Sequence, residues 1–121
     1  MEEGSVILAV DRNPRNLQLM TDFLDRAGYS GIGATGLEEL DQVLEGTHRI
    51  ALALVDLAGF DQQIWDRCDR LRRAKVPFLV ISPRPSASMQ EASLAHGARG
   101  MLVKPLATTE LSRLIRSLLG P

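Results

Sequence analysis

The sequence predicts an α/β domain of five strand–helix units, with a parallel sheet covered by helices on both faces. Short apolar runs recur five times, each ending in a polar or turn residue. Between consecutive runs lies a stretch with helical spacing and a cap or stop signal. Alternating units joined by short connections give parallel strands rather than hairpins.

The first run, Val6-Ile7-Leu8-Ala9-Val10, is continuous and partly β-branched, as a strand buried on both faces should be. It ends in Asp11. Asn13-Pro14 then offers an N-cap followed by a proline at the first helical position. Leu17, Met20 and Leu24 recur at helical spacing, and Gly28 stops that helix. The second strand, Tyr29 to Ala34, is weak because Gly31 and Gly33 dilute it. Thr35-Gly36-Leu37-Glu38 has capping-box spacing. Leu37, Leu40 and Leu44 form one face of the second helix, and Gly46 closes it.

Ile50 to Val55 is the strongest strand and ends in Asp56. A third helix is expected from about Gln62 to Ala74, with Ile64, Trp65, Cys68 and Leu71 as its buried stripe. Pro77 opens a fourth strand, Phe78 to Ile81, which ends in Ser82. A short helix from Ser86 to His96 stops at Gly97. Gly100 to Val103 is the fifth strand and ends in Lys104-Pro105. Thr108 is expected to cap a last helix carrying Leu111, Leu114, Ile115 and Leu118.

The 121 residues suffice for one domain with a buried core, read as residues 1–121 without a linker or repeat. A hydrophobic fraction of 45% argues against disorder. A net charge of −1 gives no global attraction to nucleic acid or to acidic membranes. No apolar run is long enough to span a bilayer, and Met1-Glu2-Glu3-Gly4 lacks the basic start of a leader. One cysteine, Cys68, cannot form an internal disulfide, which fits a cytoplasmic location.

Four polar residues, Asp11, Asp56, Ser82 and Lys104, stand at the carboxyl ends of four predicted strands. Ligands and chemistry collect outside those ends in an open parallel sheet. Taken singly, each is explained by strand ends meeting water. Together they suit phosphoryl chemistry.

Val10-Asp11, Leu54-Val55-Asp56, Ile81-Ser82 and the stretch Gly97-Ala98-Arg99-Gly100-Met101-Leu102-Val103-Lys104-Pro105 resemble the receiver domain of two-component response regulators. The resemblance covers essentially the whole chain. The intervals from Asp11 to Asp56 (56 − 11 = 45) and from Ser82 to Lys104 (104 − 82 = 22) match the family's. It implies a flavodoxin-like (βα)5 three-layer sandwich with strand order 2-1-3-4-5. It also implies a signalling module rather than an enzyme. Asp56 would accept a phosphoryl group from a histidine kinase or phosphotransfer protein. Lys104 and Ser82 would hold phosphoryl oxygens. Asp11, Asp56 and the Ala58 carbonyl would hold Mg²⁺. Output domains or a second copy would meet the face of helix 4, strand 5 and helix 5, near Met101 and Arg84. Such a domain stands alone or forms part of a larger regulator or hybrid sensor kinase.

The sequence departs from the family pattern at several points. Receivers carry two acids at the end of the first strand, and the second is the direct metal ligand; here it is Arg12. Asp11 and Asp56 against Arg12 and Lys104 sum to a formal zero, where three carboxylates and a lysine give −2. A unit charge at about 4 Å is worth roughly 4 kcal/mol at a surface-like dielectric. Mg²⁺ is therefore expected to bind weakly or not at all. Three placements of Arg12 stay open: turned to solvent beside a weak metal site, paired with Asp56 as a metal stand-in, or on the surface of a domain that is not phosphorylated.

Gly59-Phe60 replaces the usual Met-Pro pair, and the interval from Asp56 to Ser82 (82 − 56 = 26) is a few residues short. Met101 stands where receivers carry a switch aromatic, and a flexible thioether makes a different gate. The alternative within the class is a pseudo-receiver, a docking or dimerisation module independent of phosphorylation. A flavin-binding protein of the same architecture is more remote, because Asp11-Arg12-Asn13-Pro14-Arg15 is not a phosphate-cradling loop.

Other features read as structural. His48 and His96 lack metal-spaced partners and belong on the surface. Cys68 belongs in the core, and Trp65 is a partly buried packing residue. Ser82 lacks the elbow and the histidine of a hydrolase. Gly31, Gly33 and Gly36 match a dinucleotide fingerprint by letter but follow the wrong strand. Arg67, Arg70, Arg72 and Arg73 form a basic helix end that complements the helix dipole rather than a nucleic-acid site.

Overall fold

A computed structural model describes residues 3–120. Met1 and Glu2, part of the stretch read above for a leader, and Pro121 lie outside the described residues. The elements alternate as β1 (Ser5–Val10), α1 (Pro14–Arg26), β2 (Gly31–Ala34), α2 (Leu37–Glu45), β3 (Arg49–Asp56), α3 (Gln63–Arg73), β4 (Phe78–Ser82), α4 (Ala87–Ala95), β5 (Met101–Val103) and α5 (Thr108–Leu119). All strand pairs are parallel, in the order β2-β1-β3-β4-β5. This is the flavodoxin-like sandwich that the family resemblance implies.

The central strands are buried on both faces, and successive side chains enter opposite cores. Ile7, Leu52, Leu54, Leu79 and Ile81 pack with Leu24 of α1 and with Leu111 and Ile115 of α5. Leu8, Val10, Ala53, Val55 and Val80 pack with Leu40 of α2 and with Ile64, Cys68 and Leu71 of α3. Two apolar layers therefore sandwich the sheet. α4 is the exception, because Ser93 is its one buried residue. Its Oγ donates to the Met89 carbonyl at 2.8 Å.

Several ends differ from the sequence expectation. β2 begins at Gly31, not Tyr29, because Gly31 is the first residue to pair with β1. The predicted capping box does not form. Gly36 takes the N-cap of α2, and Thr35 donates through its backbone N–H to Glu39, 2.7 Å away and one residue further along than a box requires. The N-cap of α5 is Ala107, with no side-chain capping bond, and Thr108 is already helical. Asn13 caps α1 as expected, accepting from the backbone N–H groups of Arg15 and Asn16.

The basic end of α3 is more than a solvated face. Arg67 forms a two-pronged pair with Asp41 of α2, at 3.0 and 2.8 Å, and Arg70 joins it at 3.2 Å. The Arg67 hydrogen bond holds the Asp41 carboxyl below the usual carboxylate range, partly opposed by burial. His96 also has more than a surface role. Its ring stacks on Trp65, with centroids 5.1 Å apart, and its Nδ1 lies 2.7 Å from Asp69 Oδ1. With the Arg72 bond to the Ala95 carbonyl (3.1 Å), these contacts tie the end of α4 to α3.

Candidate functional site

β1 and β3 run side by side in the middle of the sheet, and both expire at the same edge. That delivers Asp11 and Asp56 to one place. Asp56 is the last residue of β3 and is 2% exposed. A carboxylate this buried needs partners. Its Oδ1 accepts from the Ala58 backbone N–H at 2.9 Å, which folds the following loop over it. Its Oδ2 makes an ion pair with Lys104 Nζ.

Lys104 follows β5 directly, and its peptide bond to Pro105 is cis. Its Nζ also lies 3.7 Å from Asp11 Oδ2. Burial opposes the lysine charge, but Asp56 and Asp11 outweigh it and hold the ammonium above the usual lysine range. Asp11 sits on the opposite balance. Burial raises its carboxyl, the Asn13 N–H bond lowers it, and the Asp56 charge raises it, for a net upward shift.

Ser82 ends β4, is 2% exposed, and accepts from the Arg84 backbone N–H through its Oγ at 3.3 Å. Asp11, Asp56 and Lys104 thus form one contiguous cluster, with Ser82 on the strand between β3 and β5. Met101 is half-buried at the start of β5, in register with Val80, and packs against the core on the α4 side.

Arg12 does not join that cluster, and the stand-in placement is not the one observed. Its side chain is exposed, runs across Gly59, and carries its guanidinium over the Phe60 ring at 5.3 Å from the centroid. The cation that meets Asp56 is Lys104.

The site's donor set suits Mg²⁺ poorly. Mg²⁺ takes carboxylates and water in a strict octahedron. Here two carboxylates already share one ammonium, and an arginine holds the position of the third acid. Among the described residues no cluster of three acid, histidine or cysteine side chains gathers anywhere.

Sequence reasoning missed the approach to the site. A cleft of ≈510 Å³ opens between α1 and α5, with Asp11, Asp56 and Lys104 along it. Leu19, Met20, Phe23 and Leu106 form its apolar wall. Leu19 is 60% exposed and lies off the helical stripe that buries α1. An apolar residue on the outer side of that stripe was the available signal.

No family model matches the sequence. Among curated proteins it is similar to the transcriptional regulatory proteins BasR and HprR of Escherichia coli. BasR is 32% identical over 93% of this chain and 51% of its own length. HprR is 31% identical over 92% of this chain and 50% of its own length. The chain thus spans about half the length of the curated relatives it matches. Among solved structures it is similar to a CheY-like response regulator receiver domain protein from Methanospirillum hungatei, with a TM-score of 0.85 at 23% identity, covering 95% of this chain and 93% of that one.

Proposed function

We infer that this chain, a receiver domain of the response-regulator type, accepts a phosphoryl group on Asp56 with little dependence on Mg²⁺. The observation that supports this reading is the pairing of the buried Asp56 carboxylate with Lys104 at the carboxyl edge of the sheet. Phosphoryl transfer asks the protein mainly for position and for charge to meet the moving oxygens. An Asp56 oxygen attacks phosphorus in line, and the bond to the donor's leaving group breaks. Lys104, paired with the Asp56 carboxylate, would meet an oxygen of the incoming phosphoryl group. Ser82, with its Oγ hydrogen-bonded to the Arg84 N–H, is the neutral partner for a second phosphoryl oxygen. The donor is a histidine kinase or phosphotransfer protein, and the output partner is a domain or second copy meeting α4, β5 and α5.

The second reading is a docking module that is never phosphorylated. The replacement of the metal-ligating acid by Arg12 favours it. Incubation with acetyl phosphate, with and without Mg²⁺, followed by intact-mass measurement separates the two. The first reading expects one phosphoryl adduct that vanishes in Asp56→Asn. Absence of any adduct in both buffers leaves the docking module.

A further inference from the structure

The two departures nearest the site, Arg12 and Gly59-Phe60, belong to one arrangement. Gly59 has a φ of +82°, a left-handed conformation suited to glycine. A Cβ there would stand 3.3 Å from Arg12 Cγ, so the bare backbone lets the arginine stem lie flat across the loop. The next residue, Phe60, presents its ring to the guanidinium. Phe60 is itself partly buried against the core, so the ring is a fixed seat. The neighbour on the other side, Ala58, donates to Asp56. Arg12 is thus held at the rim of the site by the loop that shapes it, and no ion pair occupies it among the described residues.

We propose that Arg12 is the cation that meets the phosphoryl group in place of a divalent metal, leaving its seat on Phe60 when Asp56 is phosphorylated. The inference rests on the phosphoacceptor reading of Asp56. Before transfer, Asp11, Asp56 and Lys104 sum to −1. Attack by the Asp56 carboxylate on acetyl phosphate forms an O–P bond, breaks the P–O bond to acetate, and sends the electron pair away with acetate. No proton moves. The product dianion takes the inner cluster to −2, with one ammonium already shared. A guanidinium fork matches phosphoryl oxygens in pairs, and a charge-assisted bond outweighs stacking on the half-buried Phe60 ring. Arg12 neighbours Asp11 in sequence, so rotation of its own side chain brings the charge inward. The same movement bares Phe60, which gives phosphorylation a readout on the β3–α3 loop that does not need an aromatic at Met101.

The test is the rate of adduct formation from acetyl phosphate in EDTA and in Mg²⁺, with thermal melts to confirm folding of each variant. The wild type is expected to react at similar rates in both buffers. Arg12→Gln should slow the reaction in EDTA by roughly 100-fold, the scale of removing one charge-stabilising donor. Arg12→Asp should make it dependent on Mg²⁺. Phe60→Leu should speed it roughly two- to five-fold, by removing the competing seat. Arg73→Gln, an exposed cation at the far end of α3, serves as the control and should leave it unchanged. A wild-type adduct that requires Mg²⁺, or an Arg12→Gln rate in EDTA equal to wild type, overturns this proposal and leaves the phosphoacceptor reading standing. Absence of any wild-type adduct in both buffers overturns both.

Discussion

Asp11 is held in a compromise. Desolvation and the neighbouring Asp56 charge raise its carboxyl, while the Asn13 N–H and Lys104 pull it down without prevailing. An acid whose folded pKa lies above its unfolded value binds its proton more tightly when folded. Its stabilising share is therefore present in acid and is lost as pH rises through the folded value. At neutral pH the ionised Asp11 costs stability. Asp11→Asn should accordingly raise the urea midpoint at neutral pH, and the gain should fade as pH falls through the raised carboxylate range. A gain that grew in acid would contradict the assigned sign. Position made Asp11, Asp56 and Lys104 legible in the sequence, because a strand end fixes where a side chain starts. The resting place of Arg12 was not legible. It depends on Gly59 and Phe60, which the chain supplies from a different loop.

The elements were legible to the extent that burial writes them. Strands covered on both faces read as unbroken apolar runs, and β1, β3 and β4 do so. Their neighbours were harder. β2 carries glycines for a packing reason: a Cβ at Gly33 would lie 2.9 Å from Leu17 Cδ2 and 3.0 Å from its Cγ. Gly31 and Gly33, two of the three glycines in the dinucleotide-like spacing, thus have a local cause in the close approach of α1 to β2. Gly33→Ala should force Leu17 out of place and destabilise the fold by about 1–2 kcal/mol in urea unfolding. An unchanged midpoint would show that α1 has slack at this contact. α4 was legible as a short helix ending at the Gly97 stop, but its attachment was hidden. It is tied to α3 by His96 and Arg72, residues whose partners are far away in the chain.

At the scale of the whole molecule, one thiol reports on integrity. Cys68 is fully buried between sheet and α3. Burial, with a smaller push from Asp69, drives its thiol up to about 12. The thiolate is the reactive form, so both access and ionisation suppress its chemistry in the native state. Labelling by an aromatic disulfide should run about a thousandfold slower than for a free thiol, the factor given by a ~4 kcal/mol opening, and should accelerate along the urea unfolding curve. Prompt labelling of the native protein would mean that the layer of α2 and α3 opens by itself. The layer architecture was fully legible from the alternation of strands and helices. Among the described residues no helix is long and apolar enough to cross a membrane.

The stack of Trp65 on His96 carries an optical consequence. Trp65 is the sole tryptophan of the chain, and its indole lies within 9° of parallel to the imidazole. Red-edge ultraviolet emission from the unlabelled protein therefore originates at one spot, the junction where the end of α4 rests on α3, and any event that slides that helix changes the colour or yield of the light.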